Sequence, residues 1–135
     1  MTQPRPTPDD APFWAACQDR HLVFQRCSAC ATWRMPPAPV CPSCQSERFV
    51  WQEATGEIEL YSWTQVWTVG HPSVAKEVPY FVGVFAFRGC GEVRLAARLL
   101  GISHQEKPKI GALCRLVWRE LDQDYLTPAF ELAPR

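Results

Sequence analysis

Two Cys-x2-Cys pairs, "CSAC" at 27–30 and "CPSC" at 41–44, constrain this chain more than anything else in it. Each pair can form one knuckle, and the segment "ATWRMPPAPV" between them is long enough to bring the two knuckles face to face. Four thiolates at about 2.3 Å from a common centre suit a tetrahedral zinc ion, and a closed set of four leaves no position for a substrate or an activated water. The spacing therefore predicts one structural zinc per chain, held by Cys27, Cys30, Cys41 and Cys44. A redox dithiol, a pair of disulfides or a rubredoxin-type iron would use the same spacing, and iron is the hardest of these to separate from zinc by sequence. The total of 7 Cys is odd, which fits a reduced compartment and a metal better than a secreted disulfide scaffold.

The flanks of the pairs read as the strands of a ribbon. "HLVFQR" (21–26) alternates, with Leu22 and Phe24 on one side, and leads directly into Cys27; "RFVWQE" (48–53) follows the second pair as another strand. Ahead of them, residues 1–8 hold three prolines and no period, as an extended tail would. Asp9 or Asp10 can then cap a short helix with Pro12 in its first turn and Phe13, Trp14 and Cys17 on one face.

From Gly56 the texture changes. "EIELYSWTQVWTV" (57–69) alternates over its length as one long, bent strand; "GHPSVAKEVP" (70–79) is a loop; "YFVGVFAF" (80–87) is a buried strand. "RGCG" makes a tight turn into "EVRLAARLL" (92–100), and after the polar link 101–112 comes "LCRLVWREL" (113–121) and a short terminal piece near Phe130. The fold class expected is mainly β, with five short antiparallel strands matching an OB-fold barrel; a sandwich or another small barrel would fit the same pattern. The domain organisation expected is 1–20 tail and helix, 21–54 zinc ribbon, 55–135 OB-fold.

Composition narrows the function. Hydrophobic residues are 47% and charged residues 21% of the chain, ordinary for a globular domain. No apolar run approaches the ~20 residues of a membrane span and the N-terminus has no signal-peptide core, so a cytoplasmic protein without a membrane partner is expected. Lys plus Arg and Asp plus Glu are both 14, so attraction to phosphate backbones would have to come from a local patch. No phosphate cradle, nucleophile elbow, carboxylate pair or His triad is found, and no catalytic residue is assigned. The aromatics could form a base-stacking platform, but alternating aromatics in strands more often fill a core. Six Trp in so small a chain also point to a protein interface.

The pieces "APFWAAC", "LVFQRCSAC", "RMPPAPVCPSCQS", "GEIELYSWTQV", "HPSVAKEVPYFVGVFAF" and "KIGALCRLVW", in that order, resemble an acyl-CoA-associated family. Its members join a short helix, a rubredoxin-like zinc ribbon and an OB-fold, and are small partner subunits of thiolase-like enzymes. The resemblance implies a required but non-catalytic subunit of a heteromeric thiolase, aldolase or acyltransferase, helping to form or cover a site for acyl-CoA, with acyl-CoA or CoA at the shared interface. It also matches the four ribbon cysteines to the family's metal ligands. Some relatives are fused to a hydratase-like domain, of which this sequence has none.

The alternative is a zinc-ribbon and OB-fold module that binds single-stranded nucleic acid, a reading by fold analogy that the balanced charge disfavours. For a protein partner, Phe13 and Trp14 on the helix and Trp33, Arg34 and Met35 in the ribbon are the residues expected to dock, since a short ribbon has little interior and Trp, Met and Arg are enriched at interface cores. On the barrel, the loop bearing His71 and Pro72 between Trp67 and Tyr80 is expected to face the partner's acyl-CoA site. The remaining cysteines, Cys17, Cys90 and Cys114, receive no role.

Overall fold

The computed structural model describes residues 3–134. Helix α1 (Ala11–Gln18) begins after Asp10 with Pro12 in its first turn, where the missing N–H costs nothing. The cap differs from the expected one. Asp10 Oδ1 turns back to accept from the backbone N–H and hydroxyl of Thr7 at 2.5 and 3.1 Å, and makes no side-chain bond into the helix. The helix buries Phe13 and Cys17.

The ribbon is a three-stranded antiparallel sheet of β1 (Val23–Cys27), β2 (Trp33–Arg34) and β3 (Phe49–Glu53), in the order β2-β1-β3. The barrel follows: β4 (Ile58–Val66), β5 (Tyr80–Phe87), β6 (Val93–Leu100), β7 (Leu113–Glu120) and β8 (Leu126–Leu132), closed in the order β4-β5-β6-β8-β7. The expected OB-fold barrel of five strands is present. β4 is shorter than the alternation suggested and carries a bulge between Leu60 and Ser62, the local twist that lets one strand serve both halves of a small barrel. The terminal piece near Phe130 is a full strand that runs antiparallel to β7 and parallel to β6. Pro128 inside it and its short apolar run hid it.

One core joins the parts. Phe13, Cys17, Leu22 and Phe24 pack into the same cluster as the barrel residues Leu60, Phe81, Phe85, Phe87 and Phe130. Phe24 of the ribbon meets Phe87 of the barrel edge to face at 4.9 Å, and Phe85 stacks on Phe130 at 4.1 Å. At the junction, a Cβ on Gly89 would lie 2.3 Å from the Thr55 carbonyl oxygen, so only glycine lets the β5–β6 turn approach the ribbon–barrel link. No helix among the described residues is long and apolar enough to cross a membrane.

Candidate metal centre and partner-facing surface

Strand β1 ends in Cys27 and the chain turns back at once. The N–H of Ala31 bonds the Cys27 carbonyl at 3.0 Å, and the Ala29 and Cys30 N–H groups point at Cys27 Sγ from 3.3 and 3.5 Å. The second knuckle repeats the first, with Gln45 N–H on the Cys41 carbonyl at 2.9 Å. Each closes with a residue in the left-handed region directly after its second cysteine, Ala31 at φ 64° and Gln45 at φ 65°. Neither is glycine, so the reversal is held by the turn bonds against a steric cost.

The two knuckles bring all four sulfurs within 4.8 Å of one another. Cys27 Sγ lies 3.6 Å from Cys44 Sγ, and Cys30 Sγ lies 3.6 Å from Cys41 Sγ. The edge of a tetrahedron with ~2.3 Å zinc–sulfur bonds is about 3.8 Å, so the donor set fits the ion without rearrangement. The electrostatics agree. The Cys30 and Ala29 backbone donors hold the Cys27 thiol down at about 6, and the Cys44 and Ser43 donors lower Cys41 likewise. Cys44 goes the other way: despite the Ser46 backbone donor, its neighbours Cys30 and Cys27 push it up to about 12. Four crowded thiols cannot all ionise unless a cation shares the charge. The zinc is structural, because the ribbon supplies a complete ligand set.

The residues expected at a partner interface separate into two groups. Phe13 is 1% exposed and Arg34 5%, so both side chains are occupied inside this chain. Phe13 sits in the common core; Arg34 donates from Nε to Gln25 Oε1 at 2.7 Å and from Nη2 to the Ala38 carbonyl at 2.9 Å, over the Phe49 ring. Gln25 Oε1 also accepts from the Ala38 N–H at 2.8 Å, which makes the pair a strut between β1 and the segment leading to the second knuckle. Burial thus withdraws Phe13 and Arg34 from the docking set. Trp14, Trp33 and Met35 remain partly open. Trp14 and Met35 line a groove of about 570 Å³ between α1, Pro36, Pro37 and the barrel wall, while Trp33 lies under the Arg26 guanidinium and against Gly91.

On the barrel, Trp67 is 62% exposed, and His71 and Pro72 are exposed beside it in the loop. His71 Nδ1 accepts from the Ser73 N–H at 3.1 Å and contacts its hydroxyl at 2.8 Å, so the ring caps the short 3-10 turn Pro72–Val74. Tyr80 is turned inward, its ring 3.4 Å from the Arg98 guanidinium carbon. The expected four are therefore not one cluster. Sequence reasoning missed the group that fixes this loop: Glu77 Oε1 reaches Arg119 Nη2 at 2.5 Å and Arg98 Nη2 at 3.3 Å. Its sequence signals were an acid in the loop between β4 and β5 and, far along the chain, one arginine in each of β6 and β7.

Comparison with known proteins accounts for nearly the whole chain. Residues 14–50 match the family model described as the rubredoxin-like zinc ribbon domain of ChsH2, and residues 51–119 match that of the ChsH2 C-terminal OB-fold domain. A protein of Thermomonospora curvata named as a probable enoyl-CoA hydratase alpha subunit is 38% identical over 133 residues, covering 97% of this chain; the chain spans 40% of that relative's length. Among solved structures, one described as an Ltp2-ChsH2(DUF35) aldolase superposes with a TM-score of 0.86 at 36% identity, over 96% of this chain and 98% of that one. A DUF35-family protein of unknown function from Sulfolobus solfataricus shares the fold, with a TM-score of 0.60 at 17% identity over 93% and 86% of the two chains.

Proposed function

This chain belongs to the ChsH2 family of zinc-ribbon and OB-fold proteins, and from that premise we propose that it is a non-catalytic, zinc-binding subunit of a thiolase-like enzyme acting on acyl-CoA. The observation that carries the proposal is the 36% identical chain that superposes over almost its full length and comes from an aldolase described by two proteins, Ltp2 and ChsH2. The partner would supply the chemistry, as a thiolase, aldolase or acyltransferase. The ribbon would dock and the barrel would help form or cover the acyl-CoA site.

The side chains support a binding role. His71 has its Nδ1 committed to Ser73 within its own turn, and no carboxylate among the described residues bonds the ring, so the pair lacks the third member that makes a serine nucleophilic. Trp14, Trp33 and Met35, partly open and of interface-enriched types, are the docking residues in this reading. The exposed loop with Trp67, His71 and Pro72 would turn toward the partner's substrate.

Co-expression with a thiolase-like protein of the same organism tests the proposal. The two should copurify as a stoichiometric complex with acyl-CoA activity that neither has alone. Trp14→Ala with Trp33→Ala should weaken the complex by about 2–4 kcal/mol while leaving one zinc per chain. Copurification unaffected by the double change would remove the docking role from these residues, and full partner activity without this chain would remove the subunit role.

A further inference from the structure

Arg34 is 5% exposed, yet the partners its guanidinium meets among the described residues are all neutral. Nε donates to Gln25 Oε1 at 2.7 Å and to the Ala38 carbonyl at 3.1 Å, Nη2 donates to the same carbonyl at 2.9 Å, and the Phe49 ring lies 4.6 Å from the guanidinium carbon. Nη1 is buried and has no hydrogen-bond partner among the described residues. A charge taken out of water is costly unless an opposite charge acts on it, so this arginine calls for a source of negative charge within the ribbon.

The strand register shows where that charge lies. Gln25 and Cys27 are two residues apart on β1, about 7 Å, and share one face of the sheet. Arg34 stands opposite Gln25 on one side, while on the other Trp51 stands opposite Gln25 and Phe49 opposite Cys27. Because the guanidinium lies over Phe49, the side chain leans from its own level toward the end of the face that carries Cys27. Its second anchor, Ala38, is three residues ahead of Cys41. The one carboxylate that the register puts on this face, Glu53, is at the other end, two pairs beyond Phe49, and bonds His21. Four thiolates around one Zn2+ leave two negative charges over, and they fall at the end toward which Arg34 leans.

We propose that Arg34 is the counter-cation of the zinc–thiolate centre: its buried charge offsets part of the negative charge that the four cysteines keep around the metal, and so tightens the hold on zinc. The fork onto Ala38 and the bond to Gln25 fix the charge at the Cys27 end of the face. Arg34 is a positioning residue and not a ligand, since it acts on the sulfurs through its field across a poorly solvated interior, where a charge is felt over several ångströms. The inference rests on the structural zinc and not on the subunit role.

Competition for zinc between the full chain and a chromogenic chelator of known affinity tests this, with amide exchange as the control for folding. Arg34→Met should weaken zinc binding by about tenfold, while Arg34→Lys, which keeps the charge and loses the fork, should stay within about threefold of the unaltered chain. Gln25→Glu separates a charge from a mere brace by the sign of its effect. It keeps the oxygen that Arg34 and the Ala38 N–H bond and strengthens the bond to the guanidinium, so a role confined to bracing the segment would leave zinc unchanged or tighter. As a carboxylate it also cancels the charge of Arg34, so the counter-cation is lost and zinc should weaken by about tenfold. Equal weakening by Arg34→Lys and Arg34→Met, or unchanged or tighter zinc in folded Gln25→Glu, would each overturn the proposal. The two arginine variants decide it if Gln25→Glu does not fold, and Gln25→Glu decides it if Arg34→Met does not.

Discussion

The ribbon and the barrel reach order by different physics. Between Ser28 and Glu47 only Arg34 and Cys41 are buried, and the turns there are held by sulfur–backbone bonds and by two left-handed residues that favour no such turn by themselves. The barrel instead closes five strands around packed phenylalanines. A region of this size without a core depends on its metal, while a region with one depends on packing. The boundary between the two regimes does not fall where the sheets separate. β1 is ribbon by hydrogen bonding but core by burial, since Phe24, with Leu22 just ahead of the strand, packs with Phe87 and its neighbours.

The largest effect should come from breaking the metal half. Structural zinc in small ribbons contributes on the order of 10 kcal/mol to their folding, more than the whole stability of a typical domain region of that length. Cys41→Ser should therefore release the zinc and abolish amide protection in both knuckles. The shared core predicts a finer outcome for β1: Phe24 and Gln25 should keep part of their protection, because Phe24 is packed from the barrel side. Hydrogen exchange read by mass spectrometry checks this. Protection lost across β5 and β6 as well would show that the ribbon and barrel are one cooperative unit.

The matching change in the other half is Phe85→Ala. Phe85 is fully buried and stacked on Phe130, so its truncation should cost about 3–5 kcal/mol by lost transfer energy and the cavity left behind. Urea unfolding followed by Trp fluorescence gives the number. Zinc content should remain one per chain, because the knuckles draw nothing from that ring. A variant that folds but has lost its zinc would contradict the division of labour.

What the sequence showed follows the same divide. The metal centre was legible residue by residue, because ligand spacing is a local property and the four sulfurs converge as the two motifs require. The barrel was legible as a class, since alternation reports burial, yet β8 was only glimpsed; a seven-residue strand with Pro128 inside it gives a weak periodic signal. Arg34 was misread for a physical reason. An arginine beside a tryptophan in a short ribbon has the composition of an interface, and only the fold reveals that Gln25 and the Ala38 carbonyl lie within its reach. The link from Glu77 to Arg98 and Arg119 could not be read for the related reason that the two arginines are 21 and 42 residues from the acid along the chain.

The smallest effect separates the two halves by the direction of their pH response. Ribbon thiols are needed as thiolates, so acidification should protonate them and release zinc, with stability lost as pH falls. The core thiols behave oppositely. Burial raises Cys17 from 9.0 to about 12 and Cys114 to about 11, so the folded state keeps them neutral where the unfolded chain would ionise them. A raised folded value means that their contribution is fully present below about pH 9 and is lost as pH climbs toward 11 and 12, because ionisation then favours the unfolded state. Cys17→Ala should therefore flatten the decline in stability between about pH 9 and 11 relative to the unaltered chain, by at most ~1.4 kcal/mol per pH unit. The comparison of slopes cancels the Lys titrations that both proteins share, while Tyr125, which burial and then the Cys17 thiolate push up, shifts with the variant and adds to the difference in the same direction. Chemical unfolding at several alkaline pH values measures it, and a variant slope equal to the original would mean that the Cys17 thiol ionises in the native state, which would require water or a cation beside it in the common core.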